Sequence, residues 1–286
     1  MRLVSYERDG VLRHGRLDGD EVDELGDGEL LGLLQKVFPL RESALPSSRG
    51  RYAAADVSLR APLLRPGKLL AAAANYQDHV TETGGEPLDK SSLSPRLFLK
   101  PPTCIADPDE AIELPDLSKQ VDWEAELGVV IGRTAKNVDV AGALDVVAGY
   151  LCANDVSARS VDYGFERDTD DKAVWFFDWL AGKWFDGFAP LGPYLVTVDD
   201  VPDPQGLSVR FELNGEVRQL GSTKDMIFSV AELISHASRL MTLEPGDIIL
   251  TGTPSGVGAA TGEYLSAGDR MAVTIGDLGE LRTELR

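Results

Sequence analysis

The stretch VDWEAELGVVIG, residues 121–132, combines the pattern of an apolar strand with two acidic side chains. Side chains of a β-strand alternate between its two faces, so Glu124 and Glu126 project from the same face. The run LGVVIG predicts burial, and two like charges beside a core are unfavourable unless a cation lies between them. The alternative that this spacing leaves open is an exposed edge strand with two solvated glutamates.

A third acid, Asp155, ends another apolar stretch, GYLCANDVS at residues 149–157. Three carboxylates without a nearby cysteine or histidine pair favour a hard divalent cation, because such cations prefer oxygen ligands. The sequence therefore predicts a site for Mg²⁺, with Mn²⁺ or Ca²⁺ as alternatives, held by Glu124, Glu126 and Asp155.

Strand and hairpin patterns dominate the chain on both sides of these stretches, with Asp-Gly and Gly-Asp turns near the N-terminus. One short helix is expected near GELLGLLQKVF. An amphipathic helix is predicted at SVAELISHASRLM, with an apolar face made of Val230, Leu233, Ile234, Ala237, Leu240 and Met241. The predicted fold is a β-rich α+β chain, with a small N-terminal β-rich domain at residues 1–60 and a larger domain at residues 61–286.

Composition narrows the classes of partner. The chain has 286 residues, of which 43% are hydrophobic, and its net charge of -19 disfavours nucleic acid and anionic membranes. Cys104 and Cys152 lie in apolar stretches, which predicts buried free thiols rather than a disulfide. The sequence shows no signal segment and no apolar run of about 18 residues, so a cytoplasmic enzyme that acts on a small molecule is expected.

The stretch NYQDHVTE, residues 75–82, places a histidine and a glutamate at helical spacing. If the segment is helical, His79 and Glu82 are neighbours at positions i and i+3. A carboxylate that orients an imidazole raises its basicity, as a general base requires. A His–Glu pair on an exposed loop is the alternative.

Two further stretches suit an anionic ligand. Lys183 lies among aromatic residues in WLAGKWFDGF, where a lysine either serves a buried anion or extends outward to solvent. In ILTGTPSGVG, residues 249–258, backbone N–H groups and the Thr253 hydroxyl suit a carboxylate, although an ordinary tight turn is the alternative. The phosphate-loop, nucleophile-elbow and dinucleotide-binding patterns are absent from the sequence.

Taken in order, these pieces resemble the fumarylacetoacetate hydrolase family over nearly all of residues 61–286. The matching segments are RPGKLLAAAANYQDHVTE, PRLFLKPPT, VDWEAELGVVIG, GYLCANDVSAR, GKWFDGFAPLGPYLV, LNGEVRQLGSTKDMIFSVAELI and MTLEPGDIILTGTPSGVG. The resemblance implies a mixed β-sandwich roll for the catalytic domain, a homodimer, and a metal bound by Glu124, Glu126 and Asp155.

The same resemblance assigns roles to the other candidates. The implied catalytic residues are His79, Glu82 and Lys183, the first two forming a dyad on a lid. The implied substrate contacts are Tyr76, Arg159, Asp162 and Thr253. Asp162 stands where the family often has a glutamine that reaches substrate, and an acid there suits a substrate hydroxyl.

The activity that the resemblance implies is divalent-metal-dependent hydrolysis of a carbon–carbon bond in an acylpyruvate or 2,4-dioxo acid, with water activated by the dyad. One alternative is an oxaloacetate-type decarboxylase or a 2-hydroxy-diene-dioate isomerase that uses the same metal–enolate chemistry. The other alternative is a non-catalytic binding protein on the same fold.

Overall fold

A computed structural model describes residues 1–286, in which β-strands are the main regular secondary structure. The strands are β1 (Arg2–Arg8), β2 (Val11–Asp18), β3 (Glu21–Asp27), β4 (Gly50–Ala53), β5 (Ser58–Arg60), β6 (Leu69–Ala73), β7 (Arg96–Lys100), β8 (Ile105–Ala106), β9 (Ala111–Ile112), β10 (Val121–Asp122), β11 (Ala125–Ile131), β12 (Val147–Asn154), β13 (Ser157–Ala158), β14 (Ala189–Thr197), β15 (Ser208–Leu213), β16 (Glu216–Ser222), β17 (Ile248–Leu250), β18 (Arg270–Ile275) and β19 (Glu280–Leu285). The helices are α1 (Leu31–Leu34), α2 (Gln77–Glu82), α3 (Lys172–Ala181), α4 (Val230–Leu240) and α5 (Gly258–Thr261). The β-rich α+β class predicted from the sequence is confirmed.

Strands β1, β2 and β3 form an N-terminal antiparallel meander. Asp9 and Gly10 have positive φ angles of 54° and 70°, as the two-residue turn of a tight hairpin requires. This turn pairs Arg8 with Val11 and thereby sets the register of the whole β1–β2 ladder. The hairpin predicted from the Asp-Gly pair is confirmed.

One twelve-stranded sheet runs through both halves of the chain, in the order β4-β3-β2-β1-β14-β12-β11-β17-β6-β7, with β5 against β1 and β8 against β14. Most neighbours are antiparallel, but β17 and β6 are parallel, so the sheet is mixed. Strand β1 pairs with β14, where Leu3 faces Leu195. The N-terminal meander is therefore continuous with the large sheet, and a domain boundary at residue 60 stays a prediction.

A five-stranded sheet, in the order β16-β15-β18-β19-β9, packs against the large sheet. Strand β11 is buried along its whole length because each of its faces meets a core. Leu127 packs in the larger core with Phe211 of β15, whereas Val130 packs in a smaller core with Leu195. The apolar run predicted to be buried is therefore a central strand covered on both faces, as a sandwich requires.

Helix α4 begins with a capping box. Ser229 Oγ accepts from the Glu232 N–H at 3.3 Å, and the Glu232 carboxylate accepts from the Ser229 N–H at 2.7 Å. Its predicted apolar face is buried at Val230, Leu233, Ile234 and Ala237. The prediction is wrong for Leu240, which is 61% exposed because the helix ends there, beyond the core.

None of the five helices combines the length and apolarity needed to cross a bilayer. Both cysteines are free and buried, as predicted. Burial raises the pKa of Cys104 to about 11 and that of Cys152 to about 12, so neither thiol is a ready nucleophile.

Candidate active site

The paired ends of β11 and β12 bring the three predicted acids together. Ala125 pairs with Asn154, and the Asp155 N–H donates to the Glu124 carbonyl over 2.9 Å. One oxygen from each of Glu124, Glu126 and Asp155 lies within 4.8 Å of the others, and all three side chains are buried. Glu124 lies in the break between β10 and β11 rather than within a strand, as the alternation pattern supposed. The alternative of an exposed edge strand with two solvated glutamates is therefore excluded.

Two buried lysines neutralise part of this acidic cluster. Lys183 Nζ lies 2.7 Å from both Glu124 Oε2 and Asp155 Oδ2, so this lysine does not extend to solvent. Burial alone would lower the pKa of Lys183, but the two carboxylates outweigh burial and raise it. Lys100, at the end of β7, forms an ion pair with the other Asp155 oxygen. Asp155 is thus neutralised from both sides.

The pKa values of the two glutamates move in opposite directions. Burial would raise the pKa of Glu124, but the surrounding cations, led by Lys183, hold it well below its usual range. Burial raises the pKa of Glu126 well above its usual value, and the charges of Asp155 and Glu124 add to this effect. Its compensating donor is the Gly252 N–H at 2.7 Å. Glu126 is therefore the carboxylate that most lacks a cation.

The donor set fits a hard divalent cation, because three buried carboxylates offer only oxygen atoms. A second observation agrees with a bound group. The Tyr76 hydroxyl is buried without a hydrogen-bond partner, and its pKa is raised by burial and by the nearby Glu126 charge. A buried hydroxyl without a partner is costly, so a bound group that forms a hydrogen bond with Tyr76 would fit this site.

Helix α2 carries the predicted dyad. His79 Nδ1 lies 3.0 Å from Glu82 Oε1, and Glu82 Oε2 accepts from the Gly256 N–H at 2.7 Å. The two side chains are only 15% and 18% exposed, so this pair is not a solvated one on a loop. Because Nδ1–H is bonded to Glu82, the basic ring nitrogen is Nε2. His79 lies near enough to Glu124 to help lower that carboxylate's pKa, which puts dyad and acids in one site.

The family model described as fumarylacetoacetate (FAA) hydrolase C-terminal matches residues 68–286. The chain belongs to the fumarylacetoacetate hydrolase family. The resemblance drawn from its motifs is confirmed.

Three relatives show the range of activities named within this family. The mitochondrial oxaloacetate tautomerase of Xenopus laevis is 39% identical to this chain, over 88% of this chain and 76% of the relative. The structure of fumarylacetoacetate hydrolase from psychrophilic Exiguobacterium antarcticum has a TM-score of 0.82 at 34% identity, covering 100% of this chain and 99% of that one. The structure of maleylpyruvate hydrolase from Sphingobium sp. SYK-6, in complex with manganese(II) and pyruvate, has a TM-score of 0.77 at 29% identity, covering 100% of this chain and 98% of that one.

In this member of the fumarylacetoacetate hydrolase family, two of the predicted substrate contacts are engaged within the protein. Arg159 Nε donates to Asp122 over 2.8 Å, and its Nη2 forms an ion pair with Glu124 over 2.8 Å without hydrogen-bond geometry. The Thr253 hydroxyl donates to the Ala125 carbonyl over 2.9 Å. Both side chains border the acids, and their contact with substrate stays a prediction.

Asp162 is the predicted substrate contact that the fold does not bring to the acids. Its side chain is exposed and accepts from the Gly164 N–H over 2.8 Å, in a turn after β13. It makes no hydrogen bond or ion pair with another predicted site residue. Its role also stays a prediction.

Two buried charged residues at the site of this fumarylacetoacetate hydrolase family member are absent from the residues predicted from the sequence. Lys100 has a fully buried side chain and contacts Asp155, as described above. Asp122 is also fully buried and receives the Arg159 guanidinium. Both end short strands inside family-matching segments, and a charge at the end of an apolar strand is the signal that could identify them.

Proposed function

We propose that this protein is a divalent-metal-dependent hydrolase that cleaves a carbon–carbon bond in an acylpyruvate or related 2,4-dioxo acid. The observation that carries the proposal is a His79–Glu82 dyad, joined over 3.0 Å, beside a cluster of three buried carboxylates. A base next to a cation-binding cluster suits attack of water on an oxo-acid. The two similar hydrolase structures support the same reaction class.

Glu124, Glu126 and Asp155 would hold one divalent cation, with Mg²⁺ as the first choice and Mn²⁺ or Ca²⁺ as alternatives. Such an ion supplies Lewis-acid polarisation of the oxo-acid oxygens when it is bound. The buried Glu126 carboxylate, whose pKa is raised by burial and by its acidic neighbours, supports this assignment because a cation would stabilise its charge. The manganese(II) bound to the similar maleylpyruvate hydrolase also supports it.

In this proposal His79 is the general base. Its Nε2 takes a proton from water while Glu82 holds the Nδ1–H, and the hydroxide attacks the distal carbonyl carbon. A positioned base of this kind contributes about 10²–10⁴-fold in rate. Glu82, itself held by the Gly256 N–H, fixes the tautomer and orientation of the ring.

Lys183 and Tyr76 stabilise the charge that develops. When the carbon–carbon bond breaks, its electron pair passes to the enolate of the pyruvate-type fragment. The Lys183 ammonium, already 2.7 Å from two site carboxylates, lies where it offsets that negative charge. The unpartnered Tyr76 hydroxyl donates a hydrogen bond to a substrate oxygen.

The test is an assay of the purified protein with Mg²⁺ on an acylpyruvate, a sugar-derived 2,4-diketo acid and oxaloacetate. We expect cleavage of a dioxo acid with release of pyruvate or a pyruvate-type product. His79→Ala should lower kcat about 10²–10⁴-fold while the Mg²⁺ affinity, measured by calorimetry, stays nearly constant. His236→Ala, on helix α4, is the matched control and should keep full activity.

Two results would contradict the proposal. Full activity of His79→Ala would exclude the dyad as the base. No Mg²⁺-dependent turnover on the whole panel would favour a non-catalytic binding protein.

The 39% identity to an oxaloacetate tautomerase favours a second candidate, which is enol–keto isomerisation of oxaloacetate in the same site. Decarboxylation of oxaloacetate is the related alternative, because it uses the same metal–enolate chemistry. Decarboxylation needs no attacking water, so His79→Ala would have a smaller effect on it. Conversion of oxaloacetate without cleavage of any dioxo acid would support this candidate.

We also propose that the active form is a homodimer, as the family resemblance implies. Light scattering should then give twice the single-chain mass of 30.9 kDa. A mass of one chain at assay concentration would contradict it.

A further inference from the structure

Five consecutive backbone N–H groups, at residues 255–259, all donate to carboxylates. We name these residues the amide loop. The donor–acceptor distances are 3.3 Å from Ser255 to Asp78, 2.7 Å from Gly256 to Glu82, 3.5 Å from Val257 to Glu82, 2.7 Å from Gly258 to Asp122 and 2.9 Å from Ala259 to Asp122. The first three groups meet acids of helix α2, and the last two meet Asp122. The amide loop therefore links helix α2 to the buried Asp122 carboxylate.

Asp122 is the fixed end of this arrangement. Its side chain is 0% exposed and also accepts from the Trp123 N–H and from Arg159 Nε, both over 2.8 Å. Buried charge-assisted hydrogen bonds of this kind are strong because water does not compete for them. Asp78, on α2, is exposed, and Glu82 is 18% exposed. The contacts of α2 are consequently the weaker end of the loop.

A second arm leads from Asp122 to the acidic cluster. Arg159 lies between the carboxylates of Asp122 and Glu124, at 2.8 Å from each. Asp122 thus contacts both the amide loop, to which the dyad is bonded, and Arg159, which pairs with the predicted metal ligand Glu124.

We propose that Asp122 is a positioning residue that holds the amide loop in the conformation to which the His79–Glu82 dyad docks. Glu82 Oε2 is bonded to the Gly256 N–H, so a shift of the loop moves the carboxylate that orients His79. The kinetic consequence rests on the proposed function, whereas the docking itself is measurable without any turnover.

Asp122→Asn tests whether the docking of α2 depends on the amide loop, and the loop on Asp122. The amide keeps the shape of the side chain but turns one acceptor oxygen into an NH₂ group, which then faces N–H donors. Residue-resolved hydrogen exchange should show the Gly258 and Ala259 N–H groups exchanging roughly tenfold faster, and the α2 backbone should follow. Asp116→Asn makes the same chemical change at an exposed aspartate earlier in the chain and is the matched control, which should change neither region. Unchanged exchange in α2 beside a loosened loop would overturn the proposal.

Glu82→Gln perturbs the opposite end of the amide loop, at helix α2. It shows whether Asp122 or α2 holds the loop, even if Asp122→Asn does not fold. Because Asp122 holds the loop independently of α2, exchange should quicken at Gly256 and Val257. It should stay within about twofold at Gly258 and Ala259. Equal acceleration along the whole loop would show that α2 holds the loop, and the proposal would be wrong.

A double-mutant cycle tests the kinetic consequence. Asp122→Asn should lower kcat roughly 30-fold in the wild-type background but less than about threefold in a His79→Ala background, because residues that act through one another are not additive. An equal loss in both backgrounds would mean that Asp122 does not act through the dyad. If the wild type turns over no substrate, the proposed function fails, and the exchange measurements still decide the docking of α2.

Discussion

Replacement of Glu126 by glutamine removes a buried charge that the metal-free protein holds at a cost. At the 4.8 Å that bounds the ligand oxygens, two like charges repel by about 3.5 kcal/mol at an effective dielectric constant of about 20. Glu126 has two such neighbours, Glu124 and Asp155, and the attraction of Lys183 offsets roughly one of them. Glu126→Gln should therefore stabilise the metal-free protein by about 3 kcal/mol, or roughly 6–9 °C in Tm.

The same substitution should weaken the response to a cation. The new amide oxygen can accept from the Gly252 N–H, as the carboxylate does, but one of the three acidic ligands is gone. A cation at a hundred times its Kd stabilises the wild type by about 2.7 kcal/mol through mass action. Mg²⁺ should consequently raise the Tm of the wild type by several degrees and that of the variant much less.

Thermal unfolding in EDTA and in Mg²⁺ measures both effects without a substrate. The raised folded-state pKa of Glu126 means that its cost is absent below the unfolded value of about 4.3 and grows as pH rises toward the folded value. The two proteins should thus converge in acid and diverge toward neutral pH. Glu113→Gln, whose side chain is 81% exposed, is the control and should differ from the wild type by less than about 0.5 kcal/mol. A variant that is less stable in EDTA and equally responsive to Mg²⁺ would refute this reasoning.

Three further changes test the core, a buried histidine and the site lysine. Ile234→Ala truncates a side chain that is 0% exposed and should lower the free energy of unfolding in urea by about 2–5 kcal/mol. Leu240→Ala, at 61% exposure, should change it by less than about 0.5 kcal/mol, and equal losses would contradict the packing of α4. Burial lowers the pKa of His14, so its contribution to stability is complete above about pH 6.5 and is lost as pH falls through the lowered value. His14→Gln should then reduce the fall in Tm between about pH 7 and pH 5, and a parallel fall would be contrary evidence. Lys183→Met leaves two buried carboxylates without their shared ammonium and should cost about 3–5 kcal/mol in EDTA. Mg²⁺ should restore much of this loss, and a smaller Mg²⁺ shift than in the wild type would count against the assigned charges.

Local chemistry made much of the fold predictable. The Asp9–Gly10 turn specifies its hairpin through two positive φ angles, and the Ser229 capping box starts α4 where the apolar periodicity begins. The dyad of α2 is predictable from its i,i+3 spacing, because contact across one helical turn is a local property. Alternation identifies Glu126 in β11, whereas Glu124 reaches the same site from the break before that strand.

The burial of Lys100 and Asp122 is less readily predicted, because the only local signal is a charged residue that ends a short apolar strand. Their burial arises when β7, β12 and the amide loop meet, and those segments are distant in sequence. Helix α3 is also invisible to periodicity, since its sequence KAVWFFDWLA is apolar around the circumference and buries no residue. Its local start signal is Asp171, which accepts from two backbone N–H groups of the first turn.

The charges of the site explain how a protein with a net charge of -19 can accept an anionic oxo-acid. The charged side chains that contact one another there are four carboxylates and three cations: Asp122, Glu124, Glu126 and Asp155 against Lys100, Arg159 and Lys183. One formal negative charge therefore remains in this group, the Glu82 carboxylate of the neighbouring dyad adds a second, and a divalent cation offsets both. The surface charge is screened within about 10 Å at 0.1 M salt, whereas charges inside a buried site act at short range and low dielectric. The metal-free site thus repels an anionic substrate and a bound cation removes that repulsion, so we expect the cation to bind before the substrate.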